Sequence, residues 1–212
     1  VLDSSTGATA VLPGPAPREN DKYPPNKTYY EIPIAIQDRS FKADGSLFYP
    51  DTRAFFDEVT GPYRPFTDVS PIWNPEFFGN CMVVNGRTWP YLDVMPCRYR
   101  LRLLNGCQSR FLILKFDDPQ VDAWQIGNEG GYLRAPVALK AILMAPAERA
   151  DLIVDFGRVK QGKSVTLLNL GPDAPFGGSG FRRCDPQTTG QVMQFRVVQS
   201  VPSGFVDPTT PP

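Results

Sequence analysis

The side chains that could do chemistry in this sequence must do it without imidazole. The 212 residues include four cysteines, 22 aspartates and glutamates, 22 lysines and arginines, and no histidine. A type-1 copper site needs two imidazoles and a thiolate, so it cannot be built within this chain. Histidine-assisted nucleophile triads fall away for the same reason. A four-cysteine zinc site would have to use Cys81, Cys97, Cys107 and Cys184, and none of their spacings is the short Cys-x-x-Cys type. Asp117, Asp118 and Asp122 cluster in an expected loop and could bind calcium, although a solvated turn is the simpler account. Glu148, Asp151 and Asp155 are close enough in sequence to suggest a glycosidase-type carboxylate pair. Ion pairing with Arg149 or with Arg98–Arg102 is the stronger expectation for them. The run Gly177-Gly178-Ser179-Gly180 has neither the lysine nor the following helix of a phosphate loop and is expected to be a flexible loop. Asn26-Lys27-Thr28 fits the glycosylation pattern, which matters only in a secreted protein.

Four cysteines allow three complete disulfide pairings. Cys97 and Cys107 flank one expected strand, and ten residues at ~3.3 Å each would hold them about 30 Å apart, far beyond the roughly 7 Å between α-carbons that a bridge tolerates. Cys81–Cys184 is the pairing to expect. Cys97 and Cys107 are expected as buried free thiols that pack like small apolar groups.

Apolar residues make up 42% and charged residues 21%, which supports a packed core and argues against disorder. The formal net charge is zero, so there is no electrostatic footprint for nucleic acid or an anionic membrane. No apolar run approaches the ~20 residues that span a bilayer. Residues 1–28 are polar and proline-rich and are expected to be an irregular arm or linker. Residues 201–212 are expected to start a second linker, around a domain at 29–200. The chain opens without methionine and resembles a piece of a longer protein.

The elements that would position these residues are strands. Tyr30–Gln37 alternates apolar and polar residues, with Pro33 marking an edge or a bulge. Asp44-Gly45-Ser46 is a tight turn. Cys81–Val84 and Trp89–Val94 flank Asn85-Gly86, a strong hairpin signal. Tyr99, Leu101 and Leu103 alternate with Arg98, Arg100 and Arg102, which gives one core face and one basic face. Further strands are expected at Phe111–Phe116, Ala123–Ile126, Leu139–Met144, Ala150–Phe156, Val165–Asn169 and Val192–Val198. Roughly nine short strands separated by turns, with no amphipathic helix, predict an all-β Greek-key sandwich or barrel.

Several of these segments occur, in order, as motifs of a known family. They are Ile32–Phe41, Asp44–Pro50, Pro75–Gly79, Val84–Leu92, Tyr99–Gly106 with Ser109-Arg110, Gln125–Gly127 with Gly130-Gly131, Ala145–Phe156 and Met193–Val197. Over about residues 30–198 the sequence resembles the second, middle domain of bacterial multicopper oxidases of the laccase and bilirubin-oxidase type.

The resemblance implies a cupredoxin-like domain that carries no copper itself. In that family the copper ligands lie in His-x-His pairs and a Cys-His segment on the first and third domains, and the middle domain is the spacer between them. The parent would oxidise phenolic or other electron-rich small molecules, or metal ions, one electron at a time, and reduce dioxygen to water. No catalytic or metal-ligating residue carries over to this chain. Its partners would be the flanking domains of the same polypeptide. The compartment would be extracytoplasmic: secreted, periplasmic, or on a cell or spore surface. Phe48, Tyr49, Pro75, Phe77 and Phe78, with the Gly177–Gly180 loop, are candidates for the rim of the substrate approach. Local packing beneath a long loop is the competing account. The arginine face of residues 98–102 would meet either solvent and acidic partners or a neighbouring domain. A copper-free structural protein built on the same plan is the alternative function, and His-x-His pairs in the flanking sequence would decide between the two. An independent sandwich module, for instance one that binds carbohydrate, would need a cluster of exposed aromatics on one sheet face, and the alternation shows none.

Overall fold

The computed structural model describes residues 12–13, 28–50, 76–198 and 200–209. The expected arm over residues 1–28 falls almost wholly outside them, as do residues 51–75 with the candidate Pro75.

Thirteen strands run through the described residues: β1 (Glu31–Phe41), β2 (Leu47–Phe48), β3 (Cys81–Val84), β4 (Arg87–Thr88), β5 (Tyr91–Val94), β6 (Arg98–Asn105), β7 (Leu112–Phe116), β8 (Asp122–Asn128), β9 (Gly131–Ala138), β10 (Ile142–Met144), β11 (Arg149–Asp155), β12 (Ser164–Asn169) and β13 (Gln191–Val197). They form two sheets. One has eight strands in the order β4-β3-β1-β6-β11-β8-β9, with β2 paired to β1, and the other has five in the order β10-β7-β12-β13-β5. Among the described residues there is no helix, so none is long and apolar enough to cross a membrane.

Period-two alternation explains how the sheets face each other. On β6, Tyr99, Leu101 and Leu103 are buried while Arg98, Arg100 and Arg102 point to the other side, as the sequence pattern requires. Val154, Phe156, Val165, Leu167, Val192, Phe195 and Val197 belong to the same interior, with Ile34, Ile36, Leu112 and Leu114 among others. Phe156, just past β11, meets Phe195 on β13 at 5.2 Å between ring centroids, which joins the two sheets. Burying each such side chain stabilises the fold by about 1.5–3 kcal/mol relative to leaving it exposed.

Three differences from the sequence expectation have local causes. First, β9 was not expected. It follows a two-residue turn at Glu129 and Gly130, both with positive φ (43° and 86°), and pairs back onto β8 with a long irregularity that masks its periodicity. Second, the expected strand Trp89–Val94 starts only at Tyr91, because Trp89 takes a left-handed backbone (φ 42°). Third, β1 is not an edge strand, since it lies between β3 and β6. Its antiparallel pairing with β3 covers only Ile36–Arg39, so among the described residues the β3 side of Pro33 meets no strand. The Asn85 side chain fills that gap. Its amide donates to Pro33 O at 2.8 Å and its oxygen accepts from Ala35 N at 2.9 Å. Pro33 is thus tolerated because its missing N–H belongs to the side that pairs with no strand. Asn85 and Gly86 also make the expected hairpin turn, with φ of 50° and 81°.

The cysteines correct one expectation. All four are free thiols, so no Cys81–Cys184 bridge is formed. Cys81 is held in the eight-stranded sheet opposite Arg39. Cys184 is buried at the end of the other sheet, where its Sγ donates to Asn169 O at 3.1 Å.

Candidate functional site

Three of the candidate rim residues, Tyr49, Phe77 and Phe78, gather beside Arg110, a buried arginine. Arg110 stands between β6 and β7 and is fully buried. Its Nε donates to Asp38 Oδ2 at 3.1 Å, Nη1 to Pro172 O at 3.0 Å, and Nη2 to Gly79 O at 2.7 Å. Nη1 also pairs with Asp173. A single guanidinium therefore ties the end of β1, the segment before β3, and the loop after β12 into one corner. A buried cation of this kind is tolerated only when its donors are met in this way.

Each partner is itself fixed. Asp38 accepts a second hydrogen bond through Oδ2 from Gly79 N at 2.8 Å, while its Oδ1 has no hydrogen-bond partner among the described residues. Gly79 is required by close approach, since a Cβ there would lie 2.4 Å from Arg39 N. Asn105 Nδ2 donates to Arg110 O at 2.9 Å and to Met144 O at 3.0 Å. Its Oδ1 accepts from Cys107 N at 3.0 Å. Asn169 plays the same part at the end of β12, accepting from Ile113 N and Gly171 N and donating to Thr189 O. Burial pushes the Asp173 carboxyl up. The Thr189 hydroxyl, the Asp185 amide and Arg110 outweigh it and hold the group below the usual carboxylate range.

Of the expected rim residues, Tyr49, Phe77 and Phe78 border this corner. Phe77 is buried, its N–H donates to Ser109 Oγ at 3.1 Å, and its ring lies 5.1 Å from that of Tyr49. Phe78 is half-buried, with the Arg110 guanidinium 5.5 Å from its ring centre. Tyr49 is 44% exposed, and its hydroxyl accepts from Gln108 Nε2 at 3.3 Å. Phe48, on β2, is half-buried opposite Ser40. On the other side of Arg110, Phe111 stacks on Phe176 at 4.9 Å, and Phe176 meets Phe181 at 5.4 Å. These last two rings bracket the Gly177–Gly180 loop. The short stretch Gln108–Phe111 thus carries both the Tyr49–Phe77–Phe78 group and the glycine loop. For Phe77, local packing is the observed role. Tyr49 and Phe78 keep exposed surface.

The acidic groups weighed for other chemistry are engaged elsewhere. Asp151 pairs with Arg100, Asp155 with Arg98, and Glu148 accepts from Ala145 N. Asp117 accepts from Thr166 N, Asp118 pairs with Lys163, and Asp122 with Arg158. No group of three or more Cys, Asp or Glu side chains among the described residues could hold a metal ion. The donor set does not fit a copper centre either, since the sequence offers no imidazole and three of the four cysteines are buried singly. Burial first, and Asp38 second, push the Cys107 thiol far up. Burial does the same for Cys184.

The corner's key residues were hard to find from sequence because Asp38 and Arg110 stand beside other polar residues, as surface residues do, and Asn105 closes a strand. The one available signal was the pair Ser109-Arg110 among the family-like motifs.

No family model matches the chain. Curated relatives do. A laccase of Bacillus subtilis strain 168 is 39% identical over 170 residues, which is 80% of this chain and 30% of that protein. The multicopper oxidase LPR1 of Arabidopsis thaliana is 35% identical over 173 residues, 81% of this chain and 26% of that one. Among solved structures, a variant of the McoA multicopper oxidase of Aquifex aeolicus superposes with a TM-score of 0.61 at 31% identity, over 81% of this chain and 32% of that chain. The chain spans about a third or less of the length of the proteins it matches. Its all-β, two-sheet architecture is the cupredoxin-like fold of those oxidases. Over about four-fifths of its length, this chain is homologous to one part of the laccases and multicopper oxidases.

Proposed function

We propose that this chain is the copper-free middle domain of a multicopper oxidase, with residues 29–200 as the folded unit and a structural rather than catalytic task. The parent would couple one-electron oxidation of phenolic or other electron-rich small molecules, or of metal ions, to reduction of dioxygen to water. Its copper would lie in flanking domains of the same polypeptide. This chain would hold those domains apart at a fixed geometry and present Tyr49, Phe78 and the Gly177–Gly180 loop to the substrate approach.

The observation that carries this proposal is the Arg110 corner. A wholly buried guanidinium gathers three chain segments and the aromatic groups they bear, and four of its five N–H donors are taken up by acceptors of the protein itself. The absence of histidine supports it from the sequence side. So does the partial coverage of much longer relatives.

Copper analysis of the purified chain by mass spectrometry is the direct test. Sub-stoichiometric, loosely held copper is the expected result, and one tightly bound ion per chain would overturn the proposal. In the longer parent, flanking His-x-His pairs and substrate-dependent oxygen uptake are expected. If the flanks lack those pairs, the copper-free structural protein becomes the better account. Phe78→Ala in the parent should raise KM for bulky phenols. Unchanged kinetics for several substrates would remove Phe78 from the rim.

A further inference from the structure

The sequence of residues 201–212 has the composition of a linker, but residues 205–209 lie against the sandwich. Phe205 packs on the core, its ring 6.1 Å from that of Tyr30, which in turn lies 5.3 Å from Tyr99. Asp207 Oδ2 accepts from Arg98 N at 3.0 Å, and Asp207 Oδ1 accepts from Thr209 N at 3.0 Å. The Arg98 side chain closes the arrangement. Its Nε donates to Thr209 Oγ1 at 2.9 Å and its Nη2 to Thr209 O at 3.0 Å. Asp207 and Asp155 flank the guanidinium at 3.4 and 3.6 Å. Thr209 is only 3% exposed.

The position of this contact explains why it forms. β6 begins at Arg98, but its parallel neighbour β1 begins only opposite Arg100, and Arg100 N already donates to Tyr30 O. Arg98 N is therefore a strand donor that no strand among the described residues receives. The Asp207 carboxylate takes the place β1 would have had. An unmet donor on a buried strand end costs free energy, so the sheet itself favours a docked segment over a mobile one, against the chain entropy of ordering it.

We infer that residues 205–209 form a clamp, with Arg98 as its positioning residue, that fixes the point and direction at which the polypeptide leaves the sandwich. The clamp is defined by contacts within this chain. Its use, to hold a following domain of the oxidase at a set angle, rests on the spacer function proposed above. Burial, and then Asp207 and Asp155, push the neighbouring Cys97 thiol up to about 12, which makes that thiol a built-in reporter of whether the segment is docked.

Hydrogen exchange on the whole chain, with alkylation of Cys97 by iodoacetamide, tests the clamp. In the unaltered protein the Arg98 amide should be protected and Cys97 slow to react. Asp207→Ala should speed exchange at Arg98 by at least about tenfold, as loss of a hydrogen bond to a charged group would, and should open Cys97 to alkylation. Phe205→Ala, which leaves every charge in place, should do the same more weakly. Amides of β12 and β13 should keep their protection in both variants. Unchanged protection of Arg98, or a loss spread evenly over β12 and β13, overturns the clamp. Failure of the spacer function would appear separately, as flanking sequence without His-x-His pairs, and would leave these amide rates untouched.

Discussion

Arg110 and Arg100 are both guanidiniums paired to aspartates, yet they sit in opposite surroundings. Arg110 is wholly buried among loop ends, and three of its partners are Asp38, Gly79 O and Pro172 O. Arg100 lies on the outer face of the eight-stranded sheet. It is paired to Asp151 and Glu31, with its side chain 13% exposed. Hydrogen bonding to Asp151 holds its proton more tightly than usual. Both clusters are ionic, but only the first organises backbone. Removing Arg110 from a dry corner leaves Asp38 stranded, whereas without Arg100 the Asp151 carboxylate keeps some access to water and Glu31 keeps Arg102 as a partner. The corner is therefore where the domain's shape depends on a single side chain.

The sharpest way to break this contrast is Arg110→Ala. It should lower stability by about 3–5 kcal/mol, because Asp38 is left as an uncompensated buried charge. Urea denaturation measures it. Arg110→Met with Asp38→Asn should lose less than the two single changes added together, since the stranded charge is then gone. A loss below that of Arg100→Ala would remove the distinction. Arg100→Ala itself should cost about 1.5–3 kcal/mol in the same assay, the range for a hydrogen bond to a charged group.

A smaller effect follows from pH. Asp173 has its folded pKa depressed, so the stability it adds is present above the unfolded carboxylate value near ~3.9 and is lost as pH falls through the lower folded value. The corner should loosen below about pH 4, and Asp173→Asn should flatten that acid limb. The raised thiols act on the other side. Stability tied to protonated Cys97, Cys107 and Cys184 is present below the unfolded thiol value near ~8.5, and it declines as pH climbs towards their folded values. Arg149→Ala, which breaks an exposed pair with Glu129, should change stability by less than about 1 kcal/mol. A larger loss there would mean that sheet-face pairs matter more than their exposure allows.

The same contrast marks what could be read from sequence. The Arg98–Arg102 alternation was legible because period two is the signature of a strand with one face in the core, and Tyr99, Leu101 and Leu103 are buried as it requires. The Asn85-Gly86 turn was legible because few residues tolerate its backbone. Arg110 was not, because nothing local distinguishes a buried arginine from a solvated one. Its partners Asp38, Gly79 and Asp173 come from far-separated stretches. β9 was hidden by its irregular pairing. The Cys81–Cys184 bridge was mistaken because eliminating one pairing on distance does not supply evidence for another. Asn169 had already engaged the Cys184 sulfur. Of the rim residues, exposure at Tyr49 and burial at Phe77 could not be told apart from sequence, since both are aromatic residues in loops.

The parallel pairing of β5 with β13 has a consequence for how the protein is made. Among the described residues β13 is the last strand and the only one that links β5 to the rest of the five-stranded sheet. During synthesis β5 must therefore wait, without this partner, until β13 has left the ribosome, at about 5–20 residues per second. Long-range parallel pairing of this kind is slow to form. Until it forms, Leu92 and Val94 stand as an unpaired apolar edge. A nascent chain stalled before Gln191 should aggregate or recruit a chaperone, even though the eight-stranded sheet could by then be complete.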